Sequence, residues 1–336
     1  MKNNLINDNK QFYNDILKIL KKARNKVKKS IDNTMTYTYY KIGERIVKEE
    51  QKGNERAEYG KKILKNLSKV LTSEFEKGFS TTNLKQMRTF YLTYEKGQTL
   101  SAELPLLELS WSHYLVLMRI TDENERKFYE IESINNNWGV RELKRQFSTG
   151  LYQRLVLSRD KEKIKELSVK GQVIETPADL IKDPLILEFL GLEEHSIYSE
   201  SELENRIISK LEQFLMELGK GFLFSGRQVR FTFSEKHFKV DLVFYNRILK
   251  CFVLIDLKIG ELKHQDIGQM QMYVNYYDRK IKLEDENDTI GIILCRDKEN
   301  AIVEMTLPKD NTQIFASKYQ TILPTKEELI KLIKED

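Results

Sequence analysis

Residues 231–277, FTFSEKHFKVDLVFYNRILKCFVLIDLKIGELKHQDIGQMQMYVNYY, limit what this chain can fold into more than any other stretch. Two apolar, β-branched runs, 238–245 and 250–259, flank a short polar link and read as the arms of a hairpin. One arm carries Asp241 and the other Asp256-Leu257-Lys258. Carboxylates and a lysine among large apolar neighbours cost free energy unless something uses them. A helix is expected at 265–277, with Gln269 and Tyr273 four residues apart and so on one face.

If 246–249 forms a four-residue loop, Tyr245 pairs with Lys250 and Asp241 lies opposite Leu254. Asp256 is then diagonal to Asp241, about 7–8 Å away on the same face. Lys258, two residues on, shares that face. Two hard oxygen ligands suit Mg²⁺ or Mn²⁺. Such a cation would polarise a phosphodiester and lower the pKa of a bound water, with Lys258 orienting that water or offsetting charge on the phosphate. The competing reading leaves both aspartates as ordinary charges on a solvated sheet face.

The chain has 336 residues, about two domains' worth, with 40% hydrophobic residues to fill cores. No apolar run approaches the ~20 residues that span a bilayer. The first residues, MKNNLINDNKQF, hold no signal-peptide apolar region, so no membrane association and a cytoplasmic location are expected. Cys251 and Cys295 lie in apolar strands and read as reduced core residues. Net charge is +5, unevenly spread: residues 1–155 hold 29 Lys and Arg against 19 Asp and Glu, and the remainder 27 against 32. A basic front half joined to a slightly acidic back half suits contact with a polyanion through the front.

That front half reads as all-helical up to residue 157. Amphipathic helices are expected at 10–29 (Phe12, Ile16, Ile19, Leu20, Ala23 and Val27 on one face) and at 36–51, ending near Gly53. Seven basic and no acidic residues fall between Lys18 and Lys29, either a solvated face or a phosphate-contacting strip. A helix at 59–77, buried through Leu64, Leu67, Leu71 and Phe75, should stop at Gly78. Ser80 caps the next, buried through Leu84, Met87, Tyr91 and Tyr94. This pair fits a helix-turn-helix that turns Thr81, Thr82, Lys85 and Arg88 outward toward nucleic acid. A loop at 97–105, helices at 111–120 and 122–135, and a helix at 140–152 follow. The last is expected to expose Arg141, Lys144 and Arg145, with Arg154 beyond it. His113, beside Trp111 and Tyr114, reads as a packing residue.

Residues 158–198 read as a linker with one short helix near 183–192. The second domain, 199–336, opens with a helix at 199–218. A strand from Phe222, a strand at 227–233, a turn at 234–236, the hairpin, the helix at 265–277, strands at 289–295 and 314–321 and a helix at 326–335 follow. The pattern is a mixed α/β domain with one central sheet.

The D…(D/E)-x-K arrangement on a hairpin between two helices resembles the PD-(D/E)XK nuclease superfamily, which has a restriction-endonuclease-like fold. More narrowly, the chain resembles the YhcG family through GYGKKILKNLSKVLTSEF, GFSTTNLKQMRTFY, LSWSHYLVLMRI and NNNWGVRELKRQ in front, and FLMELGKGFLFSGRQVRF, the hairpin stretch, TIGIILCRDK and LPTKEEL behind. The resemblance implies Asp241 and Asp256 as metal carboxylates, Lys258 as the motif lysine and Glu204 as a supplementary acidic ligand. It places Gln269 and Tyr273 in a Q-x-x-x-Y pattern that reaches a metal-bound water or a phosphate. The alternative for this pair is a polar helix surface packing beside the sheet. Two positions depart from the family pattern: Val240 stands where a proline is usual, and Asp256 where a glutamate is. The implied function is Mg²⁺- or Mn²⁺-dependent hydrolysis of DNA, duplex or branched, with RNA also open, in repair, recombination or defence against mobile DNA. A homodimer is expected because cutting both strands needs two sites. A catalytically weak or inactive nucleic-acid-binding module is the alternative.

Overall fold

A computed structural model of the chain describes residues 2–52, 57–95, 107–157, 161–192, 198–233 and 235–325, with 328, 329 and 331. The loop expected at 97–105, the helix end near Gly53 and Ser234 of the 234–236 turn lie outside these residues, as does most of the helix expected at 326–335. The chain divides into two compact units, 1–144 and 145–336. No described helix is long and apolar enough to cross a membrane.

The first unit is helical: α1 Lys2–Lys52, α2 Ala57–Phe75, α3 Thr81–Glu95, α4 Trp111–Leu117 and α5 Glu123–Asn135, with α6 Val140–Ser148 reaching its boundary. The two helices expected before residue 52 are one. Thr34, Thr36 and Thr38 each return a hydroxyl hydrogen bond to the carbonyl four residues back, and no glycine or proline interrupts the join. Only its second half is buried, through Tyr40, Ile46 and Val47, while Ile19 and Val27 are about 60% exposed (63% and 60%). The α2–α3 pair forms as expected, with the Asn83 amide donating to Ser80 Oγ. α2 stops earlier, at Phe75, because Glu76 takes the left-handed conformation assigned to Gly78; Phe75 is exposed. In α3 the buried stripe is Leu84, Met87, Phe90 and Tyr91. His113 is held by Ser110 Oγ and the Trp138 carbonyl, a packing residue as expected.

The second unit holds α7 Leu151–Leu157, α8 Lys161–Lys170, β1 Leu185–Ile186, α9 Glu200–Ser209, α10 Leu211–Leu218, β2 Phe222–Phe233, β3 Lys236–Asn246 and β4 Cys251–Glu261. After these come α11 His264–Lys280, β5 Ile290–Asp297, α12 Asn300–Thr306 and β6 Ile314–Gln320. The strands form one mixed sheet in the order β1-β6-β5-β4-β3-β2. β2, β3 and β4 are antiparallel neighbours; β4, β5, β6 and β1 are parallel. One face packs Leu242, Phe244, Val253 and Ile255 against Leu203, Ile207, Phe214 and Leu218 of α9 and α10. The other packs Val243, Leu254 and Ile293 against Ile267, Met270, Tyr273 and Val274 of α11. Both cysteines are buried and free. The helix expected at 199–218 is broken at Lys210, and the two strand pieces at 222 and 227–233 are one strand with a bulge between Phe224 and Gly226.

The compact units part at 144/145, ahead of residue 157 where the helical domain is expected to end, and Arg154 lies among the contacts of the second unit. Gly150, in the left-handed conformation, breaks the expected 140–152 helix, and α7 turns Arg154 inward, where it is fully buried. Its guanidinium donates to Glu217 of α10 and to the carbonyls of Thr149 and Pro184. Glu217, also fully buried, accepts the Ile186 amide as well, which fixes edge strand β1. The expected 158–198 linker therefore contributes a strand to the sheet, and 183–192 is a strand and a 3₁₀ turn rather than a helix.

Removing one partner of such a pair strands a buried charge, whereas replacing both with apolar groups does not. Glu217→Ala is expected to destabilise the unit by about 3–5 kcal/mol, and Arg154→Met with Glu217→Leu to recover most of that loss. Urea unfolding midpoints followed by circular dichroism check both.

Candidate active site

The hairpin turn decides which residues meet. Asn246 pairs with Cys251, not Tyr245 with Lys250. The reason is the Asn246 side chain: its Oδ1 accepts the amides of Ile248 and Leu249 and its Nδ2 donates to the Lys220 carbonyl. Asn246 thus closes the turn from inside the ladder, with Lys250 in the left-handed conformation. The register shifts by two relative to expectation. The paired ladder ends at Leu242↔Ile255. One step further, Asp241 comes directly opposite Asp256 rather than diagonal to it.

At that step the backbones part. The Leu257 amide, which a longer ladder would engage, donates instead to Asp241 Oδ2 at 2.8 Å. Asp241 is half-buried and Asp256 is buried. Burial pushes the Asp256 carboxyl up to about 7; the Lys258 ammonium works against this, and the facing Asp241 carboxylate adds to it. Lys258 Nζ lies 2.8 Å from Asp256 Oδ2 and 4.0 Å from Asp266 Oδ1. Burial opposes the lysine's charge, but Asp256, then Glu200 and Asp266, outweigh it and raise its pKa.

Glu204 of α9 reaches the same place from the other side of β3, and a residue that the sequence reading passed over joins it there. Gln228 of β2 donates Nε2 to Glu204 Oε2 at 2.5 Å and to Asp241 Oδ1 at 3.1 Å. It does so from a left-handed backbone, φ 48°, on the strand just after the bulge. Glu204 is buried; burial raises its pKa, against the Gln228 hydrogen bond and the Arg227 guanidinium 3.3 Å away. The Ser-Gly before Arg227-Gln228 was the available signal, since a glycine inside a strand marks a bulge. Nothing in hydropathy pointed to an amide between two carboxylates.

On α11, Gln269 Nε2 donates to the Tyr273 hydroxyl at 2.5 Å, which leaves that hydroxyl's own proton available. Tyr273 is buried, and burial followed by the charge of Asp256 pushes its pKa up to about 12. One face therefore collects Asp241, Asp256, Lys258, Gln269 and Tyr273, with Glu204 behind Gln228.

These donors fit a hard divalent cation. Asp241 and Asp256 converge, and the buried Asp256 Oδ2 and Glu204 Oε1 are met by cationic side chains, Lys258 at 2.8 Å and Arg227 at 3.3 Å. No three His, Cys, Asp or Glu side chains among the described residues gather closely enough to hold a metal by themselves. The Gln228 amide stands between Glu204 and Asp241 and bonds both.

In the helical unit Thr82, Lys85, Arg141 and Lys144 are exposed and Thr81 is half-buried. Arg88 does not face outward unengaged: its Nε donates to Glu50 at 2.5 Å. Arg145, in the second unit, lies 3.4 Å from Glu188 and 3.6 Å from Glu217 and over the Phe189 ring. With Arg154 buried, neither of these two arginines has the exposure expected of it, because buried carboxylates claim them.

The model of a YhcG PDDEXK nuclease domain matches residues 178–334, and that of a DUF1016 N-terminal domain matches 15–154. The Escherichia coli (strain K12) protein "Putative nuclease YhcG" is 37% identical over 347 residues, covering 95% of this chain and 92% of that one. Among solved structures, a repair endonuclease from Pyrococcus abyssi overlays at TM-score 0.27 and 17% identity, over 39% of this chain and 50% of that one. An EndoMS–dsDNA2 complex overlays at TM-score 0.28 and 15% identity, over 40% and 51%.

The raised Asp256 pKa has a thermodynamic sign. Between about pH 4 and 7 the folded protein keeps a proton on Asp256 that the unfolded chain has lost, so stability falls as pH rises through that window. Asp256→Asn removes the titration. In EDTA its melting temperature is expected to match wild type near pH 4 and to exceed it by about 5 °C at pH 8. Thermal unfolding across that range checks the widening gap.

Proposed function

This chain belongs to the YhcG family, whose C-terminal module is a PDDEXK nuclease domain, and we propose from that premise that it is a Mg²⁺- or Mn²⁺-dependent deoxyribonuclease. The observation that carries the reading is the Asp241–Asp256 pair. Two carboxylates pressed together in a buried corner repel unless a proton or a cation joins them. Burial of Asp256 and the backbone bond to Asp241 hold the pair in place regardless.

A divalent cation held by Asp241 and Asp256 would supply Lewis-acid stabilisation of a phosphate oxygen and a lowered water pKa. The chain's own residues supply the rest. The Leu257 amide fixes the Asp241 carboxylate, so one donor is set before substrate arrives. Lys258, anchored by Asp256, presents a cation to the charge that builds on the phosphate. The Tyr273 hydroxyl, oriented by Gln269, keeps a proton to donate to a phosphate oxygen. Glu204 serves as an additional carboxylate once Gln228 turns aside. Thr82, Lys85, Arg141 and Lys144 offer the helical unit's exposed contacts for phosphates, and Thr81 a half-buried one. Duplex or branched DNA is the substrate, in repair, recombination or defence against mobile DNA.

Supercoiled and branched DNA incubated with MgCl₂ or MnCl₂ should be cleaved by the full chain. Lys258→Ala should cost about a hundredfold in rate with binding retained. Metal-independent binding with no cleavage by the wild-type protein would leave a binding module in place of an enzyme.

Gln228 gives a separate readout. Its amide bonds the carboxylates that a cation would take, and a hydrogen bond to a charged group is worth about 1.5–3 kcal/mol. Gln228→Ala is therefore expected to bind Mn²⁺ about tenfold more tightly in calorimetry. An unchanged or weaker affinity would show that the amide supports the donors rather than competing for them.

A further inference from the structure

The α11 face next to the catalytic one holds a pocket that the hydrolytic reading does not use. Its cavity, about 360 Å³, is lined by the half-buried Tyr276, whose ring is backed by the buried Phe231 stacked on it 4.1 Å away at 18°. Phe233 stands at its edge, 58% exposed. Gln271 and Asn275, one helical turn apart on α11, line it with side-chain amides that have no hydrogen-bond partner among the described residues. Cations ring it. Arg279 and Lys280 close the far end of α11, and Lys236 is paired directly across the ladder from Phe233. All three are exposed, and none forms an ion pair with a described residue.

We propose that this pocket seats an unstacked nucleobase of a strand whose phosphates run on toward Asp241 and Asp256, a proposal that rests on the nuclease reading above. Aromatic faces accept any base by stacking, amides supply both a donor and an acceptor to a base edge, and a cationic rim follows the phosphates. A partner helix or strand is too large for a cavity at the small end of ligand sites. The position also fits. Phe231 and Phe233 lie three and five residues along β2 from Gln228, about 10–17 Å at strand spacing. That distance corresponds to about three to five nucleotides at 3.4 Å each. The two sites share a wall, because the Phe231 ring also meets Tyr273 edge-on with centroids 5.5 Å apart. A fully paired duplex cannot fill the pocket without releasing a base, so the structure predicts a preference for DNA with unpaired ends or gaps.

The test is fluorescence anisotropy of the full chain in calcium chloride, with a blunt duplex and the same duplex carrying a thymidine overhang. Wild type should bind the overhang about tenfold more tightly. Phe233→Ala, and Gln271→Ala with Asn275→Ala, should lose that preference while Phe233→Trp keeps it. Mn²⁺ binding measured by calorimetry should be the same in all of them. Equal affinity of wild type for the two duplexes, or a preference that survives in the variants, would overturn the proposal. So would a fall in molar mass on Phe233→Ala, which would make the pocket a self-association surface. Failure of the wild-type protein to bind Mn²⁺ would sink the nuclease reading alone, because the overhang preference is measured independently of it.

Discussion

Two negative charges forced together at the end of a β-ladder are the constraint around which the second unit is built. Asp241 and Asp256 face one another because Asn246 closes the hairpin against Cys251, one residue further along both arms than the expected Tyr245–Lys250 pair. Nearly everything nearby offsets the resulting repulsion. The Leu257 amide bonds one carboxylate, the Lys258 ammonium sits against the other, and the Gln228 amide ties Asp241 to Glu204. Such a corner is poor for stability and useful for chemistry, because its electrostatics are set before any ligand arrives.

A second buried charge solves a different problem. Arg154 and Glu217 are both fully buried, and together they hold α7, α10 and β1 in one body. Here opposite charges meet, and backbone carbonyls and an amide take up part of their hydrogen bonding. At the end of the ladder like charges meet instead, and that difference in sign separates an architectural ion pair from a corner that must be neutralised by its surroundings.

The sequence was legible wherever periodicity or local chemistry decides the outcome. The mixed sheet, the hairpin arms, α11 with Gln269 and Tyr273 on one face, and the α2–α3 pair all follow from apolar spacing and capping residues. It was less legible where a single side chain overrides the pattern. Asn246 moved the register by two, Glu76 stopped α2 before Gly78, and with no glycine or proline at the join two expected helices run on as one of 51 residues. The exposure of Arg88, Arg145 and Arg154 could not be read, because a basic residue near a helix terminus gives no hint of a carboxylate brought in from 38 or 63 residues away. Gln228 was invisible for the same reason, since its role exists only once β2, β3 and α9 are assembled.

The turn at 247–250 has a further meaning for how such a protein can change. Side chains on a strand alternate with a period of two, so one residue added to or removed from that turn would swing every group on one arm to the opposite face. Asp256 and Lys258 would then point at α9 and α10, and Leu257 at α11. The same holds at the far end of that strand: β2 is paired with β3 from Phe222 to Phe233, so a one-residue change of register there would carry Gln228 away from Asp241 and Glu204.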